Sequence, residues 1–152
     1  MRIALAVAGA LVLSSCQHSE NRYLEREVVA GELVGTWSMN PASVKDLRDV
    51  GYTAAIDPSR ELIVIRADGS CLFDTLPPSI ASAGGGKPSP KASAECRWKL
   101  DKPPRQRLML DVSGIPPAKY DYYFDQTKDA RLVLWQYIDD PDAWRYVEYL
   151  KQ

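Results

Sequence analysis

The chain reads as mainly β: an antiparallel meander of about eight short strands, closed as a barrel or stacked as a sandwich, with one short helix after the first strand. Three observations carry that reading. Short runs rich in β-branched and aromatic residues recur along the chain, several with strict two-residue alternation, as in Cys96, Trp98 and Leu100 against Arg97, Lys99 and Asp101. Turn-forming residues punctuate them, notably Asp68-Gly69, Lys102-Pro103-Pro104 and Asp139-Asp140-Pro141-Asp142. Most of the connections are too short for the crossover that parallel neighbours require, which leaves antiparallel pairing.

The N-terminus precedes this domain and has its own logic. Arg2 and the initiator amine make a small positive region, and Ile3 to Leu13 is apolar apart from one glycine. Such a run is too short to cross a bilayer permanently but has the length of a signal-peptide core. Leu13, Ser14, Ser15 and Cys16 close it in the order aliphatic, small, small, cysteine. A plain secretory signal ends in small residues without requiring the cysteine, and a chance cysteine after such a signal is the bland alternative.

The order Leu13-Ser14-Ser15-Cys16 resembles the lipobox of bacterial lipoproteins. The resemblance implies a diacylglycerol on the Cys16 thiol, cleavage before Cys16, and acylation of the new amine. One acyl chain holds a protein marginally, whereas two or three make dissociation rare. In enteric-type lipoproteins an aspartate after the cysteine retains the protein at the inner membrane. Gln17 at that position implies the outer membrane, with the domain facing the periplasm. The expected organisation is a signal peptide over 1–15, a tether over 16–32 and a single β domain over 33–152.

Composition bounds the rest. The chain has 152 residues, with 19 Lys and Arg against 20 Asp and Glu. Removing residues 1–15 takes away one basic residue, Arg2, so the mature protein is slightly acidic. That is no footprint for nucleic acid, and no later run is apolar and long enough to span a membrane. The expected partner is the membrane, reached through the lipid anchor. Of the three cysteines, Cys71 and Cys96 remain once Cys16 is acylated. In an oxidising compartment the simplest outcome is one disulfide between them, and its loop of about 25 residues would stabilise by roughly 3 kcal/mol. Neither cysteine belongs to a CxxC, and the only histidine, His18, lies in the tether, so no metal, redox pair or cofactor is expected.

Taken in order, Gln17 to Glu32 is polar, without strand alternation, and carries at most a loose helical turn or two around Asn21 to Val29. Leu33 to Met39 is the first strand. Asn40-Pro41-Ala42-Ser43 opens a helix with Val44, Leu47 and Val50 on one face, ending near Gly51. Glu61 to Arg66 and Ser70 to Leu76 form a hairpin about Asp68-Gly69. Residues 77–93, with prolines, serines and three consecutive glycines, read as a flexible loop. Further strands are Ala94 to Leu100, Arg107 to Val112, and Tyr120 to Phe124. Arg131 to Ile138 is nearly all apolar, so both its faces should be covered. Trp144 to Leu150 closes the meander.

Leu33, Gly35 and Trp37 on the first strand, followed by a short helix and a meander, resemble the opening of small bacterial lipocalin-like domains. The resemblance implies a barrel whose base is plugged by the tryptophan, beside an arginine from late in the chain, Arg145 or Arg131. It also implies a small apolar ligand in the barrel. The second lipocalin signature, Thr-Asp-Tyr, is absent.

Other candidates read more plainly. Asp139, Asp140 and Asp142 offer carboxylates to a hard cation, yet their spacing matches no EF-hand loop and Pro141 marks a turn. Tyr120, Tyr122, Tyr123, Tyr137, Tyr146 and Tyr149, with Trp135 and Trp144, concentrate aromatic surface in the C-terminal half. Part of it must be core. The outside of Arg131 to Ile138 is covered either by the helix or by a partner. Without a histidine in the domain, a Ser-His-acid relay is excluded. The sequence therefore predicts a non-enzymatic, membrane-anchored envelope lipoprotein. Its domain binds either a small apolar ligand or a protein, as an envelope assembly factor or immunity protein does, with an enzyme using an unrecognised acidic site as the outlying alternative.

Overall fold

The computed structural model describes residues 22–52, 55–75, 93–113, 118–138, 142 and 144–152. The expected lipobox Leu13 to Cys16, residues 77–92 of the expected loop, Asp139 and Asp140 lie outside the described residues.

Eight strands follow in chain order: β1 (Gly35–Met39), β2 (Leu62–Ile65), β3 (Ser70–Phe73), β4 (Ala94–Leu100), β5 (Leu108–Val112), β6 (Ala118–Gln126), β7 (Leu132–Tyr137) and β8 (Tyr146–Lys151). Each pairs antiparallel with the next. β8 returns to β1, with Trp37 opposite Lys151 and Met39 opposite Tyr149, so the sheet closes on itself as a barrel. Closure removes the free edges that a sandwich would leave. The meander order is consistent with a lipocalin-like barrel.

Alternation sorts the side chains. Trp37, Met39, Ile63, Ile65, Cys71, Phe73, Leu108, Leu110, Tyr120, Tyr122, Leu134 and Tyr149 are buried together in one core. Their chain neighbours on the same strands point outward. The β2–β3 turn is local chemistry: Gly69 takes φ +83°, and the Asp68 carboxylate accepts hydrogen bonds from the Ser70 amide at 2.9 Å and hydroxyl at 2.7 Å.

Two places in the wall are not closed by strand pairing. β5 reaches only Leu108 opposite Tyr122, so the lower half of β6 loses its neighbour. On the other side β1 ends at Met39 opposite Tyr149, so the upper half of β8 is unpaired. The second gap is filled by α2 (Ser43–Asp49). Asn40 donates its amide to the Glu148 carbonyl at 2.8 Å. The Ser43 hydroxyl accepts from the Glu148 amide at 2.9 Å. Leu47 then enters the core. The helix was expected from its apolar spacing, and its position follows from these unpaired strand groups.

The first gap is filled from the N-terminus, and this corrects the reading of 16–32 as a tether throughout. Leu24 donates its amide to the Phe124 carbonyl at 2.9 Å. Val28 is buried, and both its backbone groups bond the Gln106 amide, at 2.7 and 3.2 Å. A one-turn helix, α1 (Ala30–Leu33), follows and buries Leu33, which was expected to open the first strand. Polar composition concealed this: Leu24, Val28 and Leu33 are three apolar contacts spread among charged neighbours, with neither strand nor helix period. They close the floor of the barrel.

Cys71 and Cys96 lie opposite one another on β3 and β4 and are joined by a disulfide, with Cα atoms 4.8 Å apart. Both are in the core. The bridge joins neighbouring strands whose connecting chain is long, so it removes loop entropy from the unfolded state. The barrel domain should contain no thiol reactive after unfolding without reductant. Replacing both cysteines by serine should cost about 3 kcal/mol in a denaturant titration; labelling of either cysteine in the oxidised protein would contradict the bridge.

Candidate functional site

The expected base residues Gly35 and Trp37 sit together at the lower end of the barrel. Trp37 is fully buried, and its indole N–H donates to the Leu33 carbonyl at 2.8 Å. That carbonyl ends α1, where helix carbonyls lack partners within the helix. The preceding carbonyl, of Glu32, accepts from the Lys151 ammonium at 2.8 Å. The same ammonium lies 5.9 Å from the centre of the Trp37 ring. Gly35 takes φ +141°, and a Cβ there would meet the Lys151 stem at 2.8 Å. The motif is thus explained without a ligand: glycine takes a φ that strains other residues and leaves room for the lysine stem, and tryptophan ties the floor to the wall.

The late-chain cation at this plug is Lys151, which corrects the expectation of Arg145 or Arg131. Arg145 turns outward to the Asp49 carbonyl at the end of α2. Arg131 pairs with Asp129 at 2.8 Å on the surface.

Aromatic rings meet across the middle of the barrel. Phe73 on β3 and Tyr120 on β6 have ring centres 5.2 Å apart, although β4 and β5 separate their strands in the sheet. Tyr122 and Tyr149 meet edge to face at 5.7 Å. Phe73, Tyr122 and Tyr149 are each fully buried. Gln136 is also inside and donates a long, 3.4 Å hydrogen bond to the Tyr122 hydroxyl. Burial pushes the Tyr122 phenol well above its usual range, with Tyr149 and Tyr120 nearby adding to it. Burial likewise raises Tyr149, and the neighbouring buried Glu61 contributes.

A second aromatic group covers the outside of β7. Trp135 points outward yet is only 1 % exposed. Tyr123 on β6, Tyr137 two residues on along β7 and Tyr146 on β8 surround it, with ring centres 5.0, 5.1 and 6.2 Å away. Tyr23 adds a fourth ring at 5.5 Å from the N-terminal segment. Arg22 completes the cover. Its guanidinium lies 3.7 Å from the centre of the Tyr146 ring and 5.3 Å from that of Trp135. It pairs with Asp125 at 3.3 Å and with Glu148. Burial opposes its charge, but the Glu148 hydrogen bond and the surrounding negative groups outweigh that and hold it more firmly charged than usual. The outer face of β7 is therefore covered by the chain itself, through residues 22 and 23, where the sequence offered helix or partner.

The remaining candidates do not converge. Asp142 is exposed. Among the described residues no three His, Cys, Asp or Glu side chains could share a metal ion. Trp144 stands 46 % exposed at the head of β8, unlike the other aromatic residues expected there. A cleft of about 280 Å³ runs between residues 23–27 and the β4–β5 connection, lined by Tyr23, Arg26, Pro104, Arg105 and Phe124. Arg26 is held in it by Glu32, at 2.7 and 3.0 Å.

Sequence reasoning missed Arg22, Tyr23, Lys151 and Gln136. Arg22 and Tyr23 looked like solvated tether, and only the unexplained outer face of β7 hinted that something must cover it. Lys151 carries one weak signal, its place on the inward face of the last strand. Comparison with known proteins gives no match to a family model, a curated protein or a solved structure.

The buried phenols make stability fall at high pH. Above about pH 10 the unfolded chain releases phenolic protons that Tyr122 and Tyr149 keep when folded. The unfolded state then binds fewer protons, so stability declines as pH rises, by about 1.4 kcal/mol per pH unit for each group. A 295 nm titration should show these two phenols ionising only as the fold is lost, while Tyr122→Phe moves the alkaline unfolding midpoint upward. Full ionisation of all tyrosines near pH 10 in a folded protein would contradict the burial.

Proposed function

We propose that the chain is a lipid-anchored protein of a bacterial envelope, held through Cys16 on the periplasmic side of the outer membrane. Its barrel is a non-enzymatic binding domain that works through its outside and meets a protein partner there. A small apolar ligand in the lumen was the other reading. The contact of Phe73 with Tyr120 across the barrel is the observation that favours the outside. A ligand pocket of useful size takes a few hundred Å³, and rings from opposing walls already occupy that level. The lipobox order and the pairing of Cys71 with Cys96 support export.

The test has two arms. Protein isolated from its own envelope should begin at Cys16 and carry two or three acyl chains, and Cys16→Ser should move the protein to the soluble fraction. A soluble Cys16→Ser protein should take up no fatty acid in a calorimetric titration. Saturable one-to-one uptake would overturn the filled-lumen reading; an intact N-terminus without acyl mass would overturn the anchor.

A further inference from the structure

We infer that the outer wall of β6 to β8 rests on the lipid headgroups of the protein's own membrane, with Trp144 set into the interface. The inference rests on the proposed anchor at Cys16 and goes on to orient the barrel. Arg22 is fixed to this wall by Asp125, Glu148 and the Tyr146 ring. Only residues 17–21 separate it from Cys16. That stretch, fully extended, spans about 20 Å. A domain of this size is about 35 Å across, so so short a leash cannot run round the barrel to present its far side. The wall that holds Arg22 is the one drawn to the lipid.

The chemistry of that wall suits the place. Tyr23, Tyr137 and Tyr146 are half-buried there. Trp144, two residues before Tyr146, is the most exposed aromatic side chain among the described residues. Its backbone takes φ +54°, a conformation bulky residues rarely adopt. The fold thus leaves nearly half of a tryptophan exposed on a strained backbone, a pattern that belongs to contact sites. Tryptophan and tyrosine are the side chains that favour the headgroup layer, where an apolar ring meets a wet edge.

The full acylated protein, reconstituted in phosphatidylethanolamine and phosphatidylglycerol vesicles with brominated acyl chains, tests this by quenching of tryptophan emission. Quenching should be present in the native chain and fall roughly two-fold or more in Trp144→Phe, since the other three tryptophans are held by the barrel. A spacer of about twenty Gly and Ser residues after His18 should lower it too, by lengthening the leash while leaving Trp144 in place. In cells, a benzophenone amino acid at position 144 should cross-link to phospholipid. Acylated protein whose quenching ignores Trp144 or the spacer, or a discrete protein adduct at 144, overturns the orientation and leaves the anchor standing. Absence of acyl mass overturns both.

Discussion

The indole of Trp37 and its bond to the Leu33 carbonyl organise the lower half of this molecule. The interior of an eight-stranded barrel is just wide enough for side chains to fill, with a small ligand as the alternative occupant, and at the end side chains can also keep water out. One large side chain does the first, and its N–H must then find an acceptor in a place without solvent. The acceptor is the last carbonyl of α1, which had no other partner within the helix. Lys151 satisfies the carbonyl before it from the opposite strand. Two hydrogen bonds thereby fix α1 to the neighbouring β1 and to the distant β8, and Gly35 is glycine because its φ of +141° strains any side chain there, where a Cβ would also meet the Lys151 stem.

The same logic of unmet groups explains both additions to the barrel. Where β1 stops short, β8 has free backbone groups, and α2 arrives to bond them. Where β5 stops short, β6 has a free carbonyl, and Leu24 bonds it. In each case the segment that completes the hydrogen bonding also delivers apolar side chains to the adjacent opening, Leu47 above and Val28 with Leu33 below. The barrel is short-stranded because its ends are made of other things.

Much of this was legible beforehand. Strand alternation placed β4 and the inward faces of β5 and β6, because a two-residue period leaves one face apolar wherever only one face is buried. Asp68-Gly69 marked the first hairpin, and the cysteine count marked the bridge. The apolar run at β7 correctly implied cover on both faces. What covered it was not legible, because Arg22 and Tyr23 contribute through a stacked cation and a single ring, which leave no periodic trace. Nor did the sequence decide between barrel and sandwich: that depends on Trp37 meeting Lys151, a pairing of the chain's two ends that local pattern does not encode. The base arginine was misplaced for a related reason, since a cation's role there follows from register and Lys151 has the right one.

Closing the barrel from within the chain has a functional consequence. The lumen is occupied by the protein's own rings, and the segment nearest the proposed anchor belongs to the fold, which is why the proposed binding and the proposed orientation are both assigned to the outer surface. Residues 22–33 are part of the folded domain. Amide hydrogen exchange followed by mass spectrometry measures that directly. The Leu24 and Val28 amides, bonded to the Phe124 carbonyl and the Gln106 side chain, should be protected to nearly the extent of the β6 and β7 amides. Exchange of both at the rate of an unstructured chain, with the strands still protected, would contradict it.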